Sequence, residues 1–339
     1  MKVTLLASSS ALLVGWALVE SGQIARLSER FQRPERATPV RQVEVLAETD
    51  QYRVVKHALG ETRVPLEPKR IVSLVHAATD SLVALGIEPV LASTSWRADS
   101  VLPYLDDRLR GVPKIRQGEA VDLEVVLEAK PDLIFANASR DGRLFNQLSK
   151  IAPTVCLGSG VAADRERRIL DVGDALGLAT EARARLDKYY ADLAQTREAV
   201  TAAAPDQPVS FLRFRRNTCV IYTRSTMFGP LLFEGLALTP DPEMPFVMTG
   251  AGWDVLSVER LSKLRSEYIF MVVDKDSELY LKRVRETPIW QDIPAVRHDH
   301  VARVDAGTWI SGDGLLGCEA IIADVAGAIA PERSGHGLD

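Results

Sequence analysis

The chain has 339 residues, 46% of them apolar and 26% charged, with a formal net charge of −5. It is longer than the ~250–300 residues at which one hydrophobic core stops growing, so two domains are expected. The acidic balance excludes the basic footprint of a nucleic-acid-binding protein.

Residues 4–19 form an apolar run behind Lys2, too short for a membrane span of ~20 residues and better matched to a secretory signal. Residues 1–21 are therefore read as a signal peptide, with an uncleaved membrane anchor as the alternative. No Cys follows the run to carry a lipid. Residues 22–50, polar with Pro34 and Pro39, read as a flexible leader. YRVVKH (52–57) and TRVP (62–65) read as a hairpin turning at Leu59-Gly60-Glu61. RIVSLV (70–75) suits a buried parallel strand, and Thr79 is placed to cap a helix that stops at Gly86. Another strand follows at 89–93, then a helix at 122–129 running through Pro131 into LIFA (133–136). A helix near 143–150 and the strand TVCL (154–157) complete the alternation, which implies a parallel sheet.

Residues 163–177 and 180–203 read as two consecutive helices, after which the strands resume with VSFLRF (209–214) and CVIYT (219–223). A helix at 229–236, the strand YIFMVV (268–273), a turn-rich helix at 287–294, the strand VARVD (301–305) and a helix at 315–329 follow. One segment occurs twice. Leu123-Glu124, then Asp132 and Ile134-Phe135, is matched at the same offsets by Val258-Glu259, then Glu267 and Ile269-Phe270, with the copies 135 positions apart. So long a period is no solenoid repeat. It implies two similar α/β lobes, an architecture that closes on a small ligand. Cys156, Cys219 and Cys318 are widely spaced and read as buried small apolar residues rather than a disulfide framework.

VVKHALGETRVPLEPKRIVSLVHAATDSLVALGI, VDLEVVLEAKPDLIFA, LSKIAPTV and TPIWQDIPAVRHDHVARVDAGTW, in that order, resemble the periplasmic binding proteins that feed ABC importers of ferric siderophores, haem and cobalamin. VSFLRFRRNTCVIYT looks most like the ferric hydroxamate and ferric citrate branch. The resemblance covers about residues 50–330 and implies two α/β lobes with parallel-rich sheets, a single long helix between them and a ligand cleft. The lobes are expected at 51–160 and 180–330, the linker helix at 161–179 and a tail at 331–339.

Arg97 lies in a loop after a strand, where α/β sheets bind ligands, and the resemblance implies that it touches the ligand. A guanidinium suits an iron–hydroxamate or iron–citrate complex because it donates to several oxygens while meeting a local negative charge. Arg213, with Arg215 and Arg216, forms the one dense basic cluster, and alternation sends Arg213 and Arg215 to one face and Arg216 to the other. Trp253 and Trp309 resemble the family's cleft aromatics, His76 is a further candidate for the cleft, and Trp290 reads as core. At Glu124 and Glu259 the residues alone suggest helix-start acids, whereas the resemblance implies docking onto arginines of a membrane permease.

His298-Asp299-His300 and Gly312-x-Gly314-x-x-Gly317 look like a metal site and a dinucleotide fingerprint. Neither is accepted: no further ligand is evident for the first, and the second lacks a following strand and acid. No metal or cofactor is expected, iron arriving only inside its siderophore. The expected function is an extracytoplasmic, monomeric, non-enzymatic binder that delivers a ferric siderophore to an ABC permease. Cobalamin or haem binding, and a membrane-tethered sensor partner, are the alternatives.

Overall fold

The computed structural model describes residues 42–93, 102–115, 121–158, 167–224, 228–244, 252–312 and 314–331. The expected signal peptide thus lies outside the described residues, as does Arg97. Among the described residues no helix is long and apolar enough to cross a membrane.

The described chain opens with an antiparallel sheet of β1 (Glu44–Glu48), β2 (Tyr52–His57) and β3 (Gly60–Pro65). The hairpin is the one expected. β1 corrects the reading of residues 22–50 as a flexible leader: it pairs with β2 through Glu44↔Lys56 and Glu48↔Arg53. All five of its side chains are exposed, so it shows none of the alternation that betrays a half-buried strand.

A five-stranded parallel sheet follows, in the order β6 (Lys114–Ile115), β5 (Leu91–Ser93), β4 (Ile71–Ser73), β7 (Leu133–Asn137), β8 (Thr154–Leu157). The second sheet runs β12 (Trp253–Val255), β10 (Thr218–Tyr222), β9 (Pro208–Arg215), β13 (Tyr268–Val273), β14 (Val301–Arg303), with β11 (Thr239–Pro240) also on β9. Here β9 and β10 form an antiparallel hairpin whose two turn residues, Arg216 and Asn217, both take positive φ (46° and 57°). That is the requirement of the two-residue turn that matches strand twist.

The sequence repeat is a repeat of fold. β7 lies between β4 and β8, and β13 between β9 and β14. Asp132 N–H donates to Arg70 O (2.9 Å), and its counterpart Glu267 N–H donates to Pro208 O (2.7 Å), so each copy enters its central strand through the same bond.

Two helices meeting at Gly177 (φ 72°) carry the chain between the sheets. Helix Arg168–Leu176 sends Val172, Ala175 and Leu176 into the first lobe's core. Helix Ala179–Ala203, 25 residues and about 37 Å long, buries Leu186, Tyr189, Leu193 and Val200 with the second lobe's sheet. The last helix, Leu315–Ile329, lies beside it and is tied to it by a bidentate Arg185–Glu319 pair (2.7 and 2.6 Å).

That last helix is also pinned to the first lobe. Asp80, fully buried in helix His76–Ala84, accepts from the N–H groups of Leu316 and Gly317, both at 3.0 Å. A Cβ on Gly314 would collide with the Asp80 carboxyl, and one on Gly317 would press on Gly312. The Gly-x-Gly-x-x-Gly run therefore admits a side-chain carboxylate to a helix start, the place where a phosphate sits in a dinucleotide fold. Thr79 does not cap this helix as expected. The helix begins at His76, and the Thr79 hydroxyl bonds Ser73 Oγ (2.8 Å) from within the first turn.

Candidate functional site

The carboxyl ends of the strands are where open α/β sheets take ligands. In the second lobe that edge carries Arg213 and Arg215, which alternation places on the same face of β9 as Phe211. Arg213 is 8% exposed. Its Nε and Nη2 donate to Asp274 Oδ1 and Oδ2 (2.8 and 2.7 Å), and its Nη1 reaches Tyr222 Oη at 3.4 Å. Burial works against the guanidinium charge, but the hydrogen bonds it donates to Asp274 and Tyr222 and the Asp274 charge outweigh it and hold the pKa above its usual value. Arg213 is thus a committed cation.

Arg215 is half-buried, with its guanidinium carbon 5.1 Å from the centre of the Trp253 ring. Trp253 pairs across the ladder with Tyr222, whose ring stacks on Phe211 at 5.0 Å. Arg215 and Trp253, both half-buried, therefore make one half-open wall, backed by the buried Tyr222. Arg216 sits exposed in the hairpin turn.

Trp309 requires a correction. It has no exposed surface and stacks among Phe270 (4.9 Å), Phe211 (5.2 Å) and Phe228 (6.2 Å). A π-helical turn over Gly307–Ser311 directs the ring inward, where its Nε1–H donates to Asp324 (2.7 Å). It is core, as Trp290 is. All three cysteines are free and buried, and burial pushes the Cys156 thiol up to about 12.

In the first lobe His76 is buried at the first turn of the helix after β4. Sequence reasoning missed Arg140. It follows β7, is partly exposed, and is held through Nε and Nη2 by Asp141 (both 2.8 Å) while also bonding the carbonyl of Leu74. Nothing in Asn-Ala-Ser-Arg-Asp marks it beyond its place after a strand.

Glu124 and Glu259 are both exposed and both lie in the first turn of a short helix, Leu123–Glu128 and Val258–Leu261. The side chain of Asp122 caps the first (2.9 Å to Glu124 N–H), and Ser257 Oγ accepts from Arg260 N–H (3.4 Å) in the second. Each helix leads into its lobe's central strand, so the two acids hold equivalent places. Leu127, 59% exposed, is an apolar side chain on the first of these helices.

Comparison with known proteins places these features in context. A family model described as periplasmic binding protein matches residues 71–308. The chain is 27% identical over 285 residues to the probable siderophore-binding lipoprotein YfiY of Bacillus subtilis, covering 80% of this chain and 86% of that protein. It is 28% identical over 281 residues to the Fe(3+) dicitrate-binding periplasmic protein FecB of Escherichia coli, covering 80% and 91%. Among solved structures, Staphylococcus aureus SirA complexed with staphyloferrin B superposes with a TM-score of 0.63 at 29% identity, covering 80% of this chain and 97% of that one. The iron-uptake system-binding protein FeuA of Bacillus subtilis superposes with a TM-score of 0.66 at 19% identity over 82% of this chain and all of that one, a likeness of fold.

Proposed function

The chain belongs to the periplasmic binding protein family, and from that premise we propose that it captures a ferric siderophore of hydroxamate or citrate type and hands it to an ABC permease. It is a binding protein rather than an enzyme, and it works in the periplasm or at the cell surface, as its relatives do. The observation that carries the ligand class is the wall formed on one face of β9, β10 and β12. Arg215 supplies donors toward the oxygens of a chelate, Trp253 packs on its scaffold with the buried Tyr222 behind it, and Arg213 with Asp274 keeps that wall in shape. Arg97 is proposed as a further ligand contact, and Glu124 and Glu259 are assigned to the permease-facing surface.

The test is a tryptophan-fluorescence titration of the protein lacking residues 1–41. The titrants are ferric hydroxamate, ferric citrate and ferric catecholate complexes, with cyanocobalamin and haemin as controls and free tryptophan as the inner-filter correction. Saturable quenching by ferric hydroxamate or ferric citrate supports the proposal. Binding of cobalamin or haemin alone would overturn the ligand class while leaving the family intact.

A further inference from the structure

The opposite edge of the second sheet, where β13 and β14 begin, brings together three metal-ligating side chains. Glu267 is the residue before β13 and His300 the residue before β14, and these strands are parallel neighbours through Ile269↔Val301. His298 Nδ1 lies 2.9 Å from Glu267 Oε2, and His300 Nδ1 lies 3.1 Å from the Glu267 carbonyl. One ligand atom from each of the three lies within 4.8 Å of the others.

The local fold explains the convergence. Helix Pro294–Arg297 ends with Asp299 in the left-handed conformation (φ 59°), with His300 N–H donating to Ala295 O (2.7 Å) and Asp299 N–H to Val296 O (3.3 Å). These are the two reversed bonds of a Schellman end. The chain doubles back there and brings both histidines to Glu267.

A carbonyl oxygen can only accept, so His300 carries its proton on Nδ1 and a lone pair on Nε2. Ligating imidazoles are held the same way, their second N–H given to a carbonyl or carboxylate. The Tyr268 ring stacks on His300 at 4.5 Å and 3°, fixing the imidazole plane. His298 is exposed and meets Glu267 through Nδ1, while Glu267 is half-buried and anchored in the sheet.

We propose that Glu267, His298 and His300 bind a divalent transition-metal ion of the zinc type. Two imidazoles and one carboxylate are a zinc donor set that leaves a fourth position for water, whereas calcium and magnesium select all-oxygen shells. Ligands at ~2.0–2.1 Å in a tetrahedron stand about 3.3 Å apart, close to the His298–Glu267 separation. The site stands at the end of the sheet away from Arg213, so it is independent of the siderophore reading.

The test is isothermal titration of the full chain, carrying no polyhistidine tag and stripped with EDTA, with zinc chloride and with calcium chloride. The expected result is saturable 1:1 zinc uptake with no calcium uptake, weakened about tenfold or more in Glu267→Gln and in His298→Ala. Since His298 is exposed, its variant keeps the fold intact. With Cu(II) as probe, the spin-resonance spectrum shows coupling to two imidazole nitrogens, falling to one in His298→Ala. No zinc uptake by the parent chain would overturn the proposal. So would uptake unchanged in the His298→Ala/His300→Ala double variant.

Discussion

Arg213 meets Asp274 through Nε and Nη2, one bond to each carboxylate oxygen, and Arg140 meets Asp141 in the other lobe through the same two nitrogens. Each pair stands at the carboxyl edge of its own sheet. Removing either partner of such a pair leaves the other charge uncompensated, and the cost is larger where the stranded group is the more buried one: Arg213, at 10% side-chain exposure, rather than Asp274, at 24%. Asp274→Ala is therefore expected to cost about 3 kcal/mol of unfolding free energy, and Arg213→Met clearly less. Urea denaturation of both variants checks the order, and equal losses would mean that the pair is not what holds Arg213.

Trp253 and Trp309 divide by environment. Trp253 is half-buried beside Arg215, so Trp253→Phe is expected to remove most of the ligand-induced fluorescence change and weaken binding while leaving stability within ~0.5 kcal/mol. Trp309→Ala empties a stack of three aromatic rings and is expected to destabilise by ~3–5 kcal/mol. Titration and thermal melts of the two variants separate the roles, and a binding defect confined to Trp309 would reverse the assignment.

The fold was legible where burial is two-sided. β7 and β13 read as unbroken apolar runs because both of their faces are covered, and the duplicated approach to them exposed the two lobes. β1 was not legible, since a strand exposed on every residue carries no pattern. The site was legible only in part. A tryptophan beside glycines is spelled the same whether it opens a strand half-buried, as Trp253 does in β12, or is turned inward from a π-helical turn, as Trp309 is. Glu267 stands 31 positions from His298, and the parallel pairing of β13 with β14 is what joins them.

Two buried groups set opposing pH dependences. Burial raises Asp171 from 3.8 to about 6, its Gln42 hydrogen bond notwithstanding, and lowers His57 from 6.5 to about 4. Between pH 4 and 6 the folded state holds a proton on Asp171 that the unfolded chain has lost, so that contribution falls as pH rises. Over pH 4 to 6.5 the unfolded chain holds a proton on His57 that the folded state lacks, so that contribution rises with pH. Asp171→Asn is expected to make stability climb more steeply from pH 4 to 6, by up to about 1.4 kcal/mol per pH unit, and His57→Gln to do the reverse. Denaturation midpoints across that range check the signs, and parallel profiles for the two variants would contradict them.

The Asp80 contact ties the last helix to the first lobe through one side chain, within reach of a single substitution. Asp80→Ala leaves two buried N–H groups without the charged acceptor, each such bond contributing ~1.5–3 kcal/mol, and is expected to cost about 3 kcal/mol in all. Asp80→Asn keeps one acceptor oxygen and is expected to lose roughly half as much. Gly314→Ala, which intrudes on the same carboxyl, should resemble Asp80→Ala. Urea midpoints rank the three, and a neutral Gly314→Ala would show that the close approach is not required.

Glu124 and Glu259 make no contribution to either core, and their equivalent places on the two lobes suit a partner with two similar faces. A pseudo-twofold permease offering one basic patch to each lobe would engage both acids at once, so losing one weakens docking and reversing both abolishes it. Charge reversal to Arg at the two positions together is expected to leave the melting temperature and the affinity for the ferric ligand unchanged, because both side chains are exposed in the first turns of their helices. Uptake of iron-55-labelled ligand by cells carrying that double variant is expected to fall to the level of cells lacking the protein, with either single variant intermediate. Normal uptake by the double variant would remove both acids from the docking surface, and loss of ligand affinity would relocate them to the binding site.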